Sequence, residues 1–320
     1  MTGYFLWPAA ARIGNIGHAL LGASADSFEG VLSWRFPDVH PVAVSSGRAG
    51  ISLVLALSGV GRRDKVGVFP YASYCVLETV VRYALPTEAD DGNSPHLNII
   101  YHQWGYVQPR SNRPWMEDAV DSLCMPAAQL CPLGGDFEIW SLPKILGVVA
   151  GGVVWCRDRE TAVRLRTLRD QRGQANRQYV IAILASLFPK MYAYWAGMET
   201  LSGRMSNWAA ASALHAFKGF DSIIEDRRRK FELLRPFAPQ WLPRVDDRLP
   251  CIVPLEISDE IGAQLGAMGI KTNFRHFQHV DENGRSRLIR VFPLPIHQEV
   301  PLALLQRVAE LLARARQLPS

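Results

Sequence analysis

The chain has 320 residues, 48% hydrophobic and 20% charged, which is enough to bury a large core in one big domain with a smaller one beside it. Its formal net charge of +5 is mild for that length, so an anionic small substrate is permitted while neither nucleic acid nor a membrane surface is indicated. Five scattered cysteines (Cys75, Cys124, Cys131, Cys156, Cys251) with no Cys-x-x-Cys pair argue against a disulfide frame and a structural zinc site, and make the reducing cytosol the expected compartment.

The first residues, MTGYFLWPAAARIG, lack a basic n-region and carry only a short apolar run, so no signal peptide is expected. No stretch is long and uncharged enough to suggest a bilayer span. Residues 1 to 40 mix Gly, Pro and aromatic residues irregularly and predict an N-terminal arm. Pro41 to Val44 reads as a buried strand, and Ser45-Ser46-Gly47-Arg48-Ala49-Gly50 separates it from an apolar helix, Ile51 to Leu57. Small residues ahead of a helix leave unpaired N–H groups at the positive end of its dipole. Such a turn either binds an anion, most often phosphate, or simply caps the helix.

Lys65 to Phe69 predicts the next strand, and Ser73 to Tyr83 a helix that begins beside Tyr71 and Tyr74, rings able to stack on a flat ligand or to join the core. Thr87 to Pro95 is expected to loop. Strands are expected at Leu97 to Tyr101 and at Trp115 to Ala119, the second placing Glu117 and Asp118 at a strand end. Phe137 to Leu142 is an apolar strand that leads to Lys144, seven residues before Gly151-Gly152. A lysine at the end of a strand in an open α/β sheet stands where ligands bind. There it is either a solvated turn lysine or, if partly desolvated, a nucleophile toward carbonyls of the kind that forms a Schiff base with pyridoxal phosphate.

Beyond the Gly152 to Cys156 strand, the pattern predicts a charged helix from Arg157 to Arg172 and an aromatic-rich helix from Tyr179 to Met198, buried or at an interface. A helical pair from Ser206 to Ile224 is jointed at Lys218-Gly219-Phe220. Asp226 to Lys230 is the only basic run; its interleaved acids favour a solvated helix face over a nucleic-acid patch. Pro236 to Pro250 resembles a boundary, giving a large domain over residues 1–235 and a small one over 236–320. The small domain is expected to hold a strand from Ile252 to Ile257, a helix from Asp259 to Met268, a strand from Leu288 to Phe292 and a terminal helix from Leu302 to Arg316. His276 and His279 have no cysteine or carboxylate partner in the pattern, so no metal is expected.

Taken together and in order, these motifs resemble the DegT-type sugar aminotransferases of the fold type I pyridoxal-phosphate enzymes. The resemblance rests on Ser46-Gly47-Arg48-Ala49, Pro70-Tyr71-Ala72-Ser73-Tyr74, Glu117-Asp118-Ala119, Gly135-Asp136, Ser141, Lys144, Gly151-Gly152, Arg204-Met205-Ser206, Gly269-Ile270 and Pro295-Ile296-His297. It implies a large domain with a mostly parallel sheet flanked by helices and a smaller C-terminal α+β domain. By the same resemblance Lys144 is the catalytic lysine that holds pyridoxal phosphate and moves the proton, and Asp118 pairs with the pyridinium nitrogen. Tyr74 stacks on the ring, and Gly47, Arg48, Ala49 and Ser141 hold the phosphate. Arg204 and His276 are the implied substrate contacts, an amino acid such as glutamate the donor, a nucleotide-linked keto sugar the acceptor, and a homodimer the assembly.

The sequence departs from the family pattern at four places. Arg48 stands where threonine is common, Ser141 and Lys144 are closer than usual, and Ser202-Gly203 replaces an asparagine ahead of Arg204. Asp121 takes the place of the Gln or His that touches the cofactor's phenolic oxygen. A carboxylate there would repel a phenolate, so Asp121 is expected to be protonated, turned away, or paired with Arg48 or a histidine. Asp121 and the altered turn leave open a fold type I protein that only binds or regulates, and the acceptor could be a carbonyl other than a sugar.

Overall fold

The computed structural model describes residues 3–8, 17–69, 72–88, 97–107, 114–125, 128–173, 176–188, 203–243, 245, 247–281 and 285–317. Its centre is a seven-stranded sheet made of β1 (His40–Val44), β2 (Lys65–Val68), β3 (Leu85–Glu88), β4 (Asn98–Tyr101), β5 (Met116–Asp118), β7 (Phe137–Ser141) and β8 (Gly152–Cys156). The spatial order is β1-β8-β7-β5-β4-β2-β3. The pairs β3/β2, β2/β4, β4/β5 and β5/β7 are parallel, whereas β8 runs against both β7 and β1. Strands covered on both faces of a sheet read as continuous apolar runs whatever their direction, which is why β1, β7 and β8 are recognisable from composition alone.

Each face of the sheet has its own core. On one side α2 (Gly47–Ser58) and α3 (Tyr74–Val81) bury Ile51, Leu53, Val54, Val76 and Val80 against Val66, Ile99, Ile139 and Val154. On the other, Phe28 and Leu32 of α1 (Ala25–Arg35) and Ala210, Ala213 and Phe217 of α7 (Asn207–Phe217) close over Trp140 and Trp155. The two indoles pack edge to face with centroids 5.0 Å apart. Each such side chain contributes about 1.5–3 kcal/mol when fully buried.

A second, three-stranded antiparallel sheet, β10-β12-β11, is built from β10 (Ile252–Leu255), β11 (Arg275–Val280) and β12 (Ser286–Pro295). Val253, Leu255, Phe292 and Leu294 pack there on Leu265 of α9 (Asp259–Ala267), on Leu305 and Val308 of α10 (Leu302–Gln317), and on Phe231 and Leu234 of α8 (Phe220–Leu234). The helices α5 (Arg159–Gln171), started by an Asp158 cap, and α6 (Asn176–Leu187) follow β8 in the chain. A two-stranded ribbon joins β6 (Leu123–Cys124) to β9 (Arg248–Leu249).

Several expectations need correction. Thr87 does not loop but pairs in β3 beside Gly67, because Leu85 to Glu88 extends the parallel edge; residues 89–96 lie outside the described ones. The strand before Lys144 ends at Ser141, and Leu142 opens a short helix, α4 (Leu142–Leu146). β11, absent from the expected elements, opens on Arg275 and His276 and has only Phe277 and Val280 as apolar residues, so it gives no alternating signal. The Asp226–Lys230 run is a solvated face only in part: Arg229 is exposed, but the side chains of Arg227 and Lys230 are buried, and Lys230 donates to Asp226 and to the carbonyl of His297. Most of the expected Tyr179–Met198 helix beyond α6 falls among residues 189–202, outside the described ones.

One contact couples the fold to the edge where the parallel strands end. Because β8 is reversed, its first residue, Gly152, sits at that edge, in register with both Ser141 and Val44. A Cβ on Gly152 would lie 2.6 Å from the Gly47 nitrogen and 2.6 Å from the Ser46 carbonyl carbon, both backbone atoms. Gly152→Ala is therefore expected to destabilise the protein by about 1–3 kcal/mol through overpacking, measured as a lowered midpoint in urea unfolding. Gly30→Ala, where a Cβ meets nothing within 4 Å, is the control.

Candidate active site

The C-terminal ends of β1, β4, β5 and β7 converge at the edge that Gly152 shares, the place where open α/β sheets bind ligands. At the end of β1, Ser46 caps α2, its hydroxyl accepting the Ala49 N–H at 3.1 Å. The Gly151 N–H donates to the Ser45 carbonyl at 3.0 Å, tying the first turn of α2 to the loop after Lys144. A Cβ at Gly47 would lie 3.7 Å from the Trp140 carbonyl, so this turn is in ordinary packing contact with β7. Ser141 precedes α4 without making a side-chain cap hydrogen bond.

Lys144 occupies the middle of α4, which Pro143 helps to start and Gly147, at φ 72°, ends in the left-handed region. Its Nζ lies 3.1 Å from Asp121 Oδ1 and 4.3 Å from the centroid of the Trp7 ring. Asp121 is fully buried, and its carboxylate also accepts the Trp7 indole N–H at 2.8 Å and the Tyr101 hydroxyl. The carboxylate is thus paired, but not with Arg48 or a histidine: its partners are Lys144, Trp7 and Tyr101. Burial lowers the Lys144 pKa, but Asp121 and Asp118 outweigh it and leave the lysine more basic than usual.

Asp118 ends β5, beside Tyr101 of β4 and Ile139 of β7. Burial first, and the nearby Asp121 charge in addition, push its carboxyl up to about 7 against the pull of Lys144. It lines a small cavity with Phe69, Ala72, Ser73, Val76, Ile99 and Tyr101. The neighbouring Glu117 points the other way, where it meets His102 Nε2 at 2.7 Å and accepts the amides of Leu133 and Gly135. Burial raises the Glu117 pKa, but these partners outweigh it and hold the carboxyl low. Glu117 therefore braces the strand while Asp118 faces the site.

The remaining candidates are dispersed. Tyr74 is 79% exposed, although its neighbours Ala72 and Ser73 face the cavity; the rings that line it are those of Phe69 and Tyr101. Arg48 is half-buried at the start of α2. Arg204 bonds Asp26 at 2.8 Å and lies 3.7 Å from Asp170, at the far end of a bridge between its backbone and Val44. His276 is exposed on β11. Sequence reasoning missed Trp7 and Tyr101. The only available signal was a tryptophan-proline pair in an otherwise irregular arm, which carries no periodicity.

The site fits pyridoxal phosphate by its donor set: an accessible lysine amine, its side chain 27% exposed, a buried carboxyl suited to a protonated ring nitrogen, and a helix N-terminus with an uncommitted serine beside it. A family model described as "Putative PLP-dependent aminotransferase" matches residues 27–314, and the chain belongs to this family of pyridoxal-phosphate-dependent aminotransferases. Three solved structures share the fold: TlmJ, an aminotransferase from Streptoalloteichus hindustanus (17% identity, 99% of both chains covered, TM-score 0.68), DesV from S. venezuelae (19%, 96% of this chain and 94% of that one, 0.65), and the sugar aminotransferase CalS13 from Micromonospora echinospora (17%, 97% and 99%, 0.65). No curated protein matches the sequence. The resemblance to the DegT-type enzymes and the expected α/β fold are borne out.

A buried carboxyl at about 7 gives a stability signature. Its folded pKa is raised above the ordinary 3.8, so its contribution is fully present below 3.8 and is lost as the pH climbs through about 7. In cofactor-stripped full-length protein the melting temperature of Asp118→Asn should therefore gain on that of the wild type across this window and then run parallel above it, as read by calorimetry.

Proposed function

We propose that this aminotransferase moves the amino group of an amino acid, glutamate being the expected donor, to the keto carbon of a nucleotide-linked sugar. The observation that carries the reading is the grouping of Lys144 and Asp118 at the strand ends beside the first turn of α2. Its support on the substrate side is the sugar aminotransferase among the proteins of like fold.

When bound, pyridoxal phosphate supplies an aldehyde carbon for the amine and an aromatic ring that accepts electrons. The first turn of α2, with Gly47, Arg48 and Ser141, would hold the phosphate. Asp118 would keep a proton on the ring nitrogen, a charge-assisted hydrogen bond of roughly 1.5–3 kcal/mol. That pairing would also relieve the carboxyl of its buried, uncompensated charge. Lys144 Nζ, once free, would take the proton from the donor's α-carbon and return it at the cofactor's former aldehyde carbon, on the other side of the shared nitrogen, the shift that exchanges amine for carbonyl. Arg204 already pairs with Asp26, so a substrate anion would have to compete with that carboxylate. His276 could reach substrate only from the surface of β11.

We also read the protein as a homodimer with residues 1–235 and 236–320 as its two domains. The individually exposed side chains of Leu20, Leu21, Trp34 and Tyr74 are apolar surface that a second copy could cover. Light scattering of the cofactor-loaded protein at micromolar concentration should give twice the 35.7 kDa chain mass; a stable monomer would contradict this.

The catalytic reading is tested by spectral conversion of the bound cofactor with glutamate, then back with a panel of nucleotide keto sugars. Lys144→Ala should remove both conversions and the mass increment that borohydride leaves on the Lys144 peptide, while circular dichroism stays that of the folded wild type. Conversion by glutamate that no sugar reverses would move the acceptor to another carbonyl class.

A further inference from the structure

Residues 3–8 cross the molecule as a strap. The Tyr4 N–H donates to the Gly269 carbonyl at 2.8 Å, its carbonyl accepts the Lys271 N–H at 2.7 Å, and it bridges Ile270 in parallel. The Phe5 carbonyl accepts from His297 Nε2 at 3.0 Å, while His297 Nδ1 accepts the Glu299 amide at 3.3 Å, which fixes the tautomer. Pro8 rests against Gly147, where a Cβ would come within 3.1 Å of it. Between these anchors Trp7 is delivered to Lys144 and Asp121. The Gly269-Ile270 and Pro295-Ile296-His297 segments thus have a physical task, which is to seat the strap.

We infer that Trp7 and Tyr101 are positioning residues that hold Asp121 as an acceptor-only carboxylate beside Lys144, so that Asp121 is the lysine's proton partner and sets the pH at which its amine is free. The inference rests on the pyridoxal-phosphate reading of the site. An indole N–H and an ammonium can only donate, so the Asp121 oxygen that meets both must accept. The Tyr101 hydroxyl occupies the other oxygen, and burial together with the Asp121 charge holds that phenol well above its ordinary range, so it stays a donor.

The groups facing the pair are Asp118 from β5, Cys75 from α3, Cys251 beyond β9 and Arg227 from α8. Arg227 is completely buried, and none of its guanidinium nitrogens has a hydrogen-bond partner among the described residues. The carboxylates in its field are Asp121 and Asp226, and it keeps a positive charge near Asp121 when the lysine's own charge is consumed by attachment to the cofactor. A glutamine at position 121, whose amide does not titrate, could not share a proton equilibrium with the lysine in this way.

The test uses full-length protein stripped of cofactor. The rate at which pyridoxal phosphate is captured at Lys144 is followed against pH by borohydride trapping and peptide mass spectrometry. In Asp121→Asn the midpoint of this profile should fall by about one unit or more, the usual effect of removing an opposite charge at this distance. Trp7→Phe, which keeps the ring but not the N–H, and Tyr101→Phe should each raise the midpoint, since each leaves more of the Asp121 charge to the lysine. Combined with Asp121→Asn, Trp7→Phe should have no further effect, because it acts through Asp121. An unchanged midpoint in Asp121→Asn, or a Trp7→Phe shift that persists in the double variant, overturns the inference while leaving the aminotransferase reading intact. If Asp121→Asn does not fold, unchanged midpoints in both Trp7→Phe and Tyr101→Phe overturn it. Wild-type protein that captures no cofactor at Lys144 at any pH overturns both readings.

Discussion

The ion pair between Lys144 and the fully buried Asp121 is the contact on which the arrangement of this site depends. A charge carried out of water costs several kcal/mol unless it is paired and hydrogen-bonded. Each neighbour of the pair can be understood as meeting that requirement. Trp7 and Tyr101 donate to one carboxylate oxygen each, the Trp7 ring face covers the ammonium, and Asp118, with no such set of donors, rises to about 7 instead. Two carboxylates within reach of one lysine are thereby differentiated by their surroundings.

The same logic of buried pairs fastens the scaffold. Arg248 grips Glu138 with two nitrogens, at 3.0 and 2.7 Å, and Glu138 also accepts the Trp140 indole N–H and the Cys131 amide. This joins the central sheet at β7 to β9 and so to the segment that begins the second sheet. Nearby, the Cys251 N–H donates to the Trp104 carbonyl, and Gly105, at φ 98°, lets the chain pass where a Cβ would lie 2.8 Å from the Pro250 Cα. Glu29 of α1 performs a similar role for α5, accepting from Arg166 at 2.7 Å, from Arg169 and from the Ala43 amide of β1. The site edge is held from both sides by groups whose removal would leave an unpaired buried charge.

Sequence alone settled the parts of this protein that are local or repetitive. The apolar runs of β1, β7 and β8 follow from burial on both faces of the sheet, and the small-residue turn ahead of α2 from Ser46 accepting the Ala49 amide. Lys144, Asp118 and the Gly151-Gly152 pair could be placed at strand ends because the strands preceding them were legible. Tertiary structure alone decided who meets whom. The partner of Asp121 lies 23 positions along the chain at Lys144, 20 positions back at Tyr101 and 114 positions back at Trp7. No periodicity links those positions, since burial in a shared pocket is a property of the folded packing and not of any one segment. For the same reason a basic run that looked solvated has Arg227 buried near the site, and a tyrosine chosen for stacking stands in solvent.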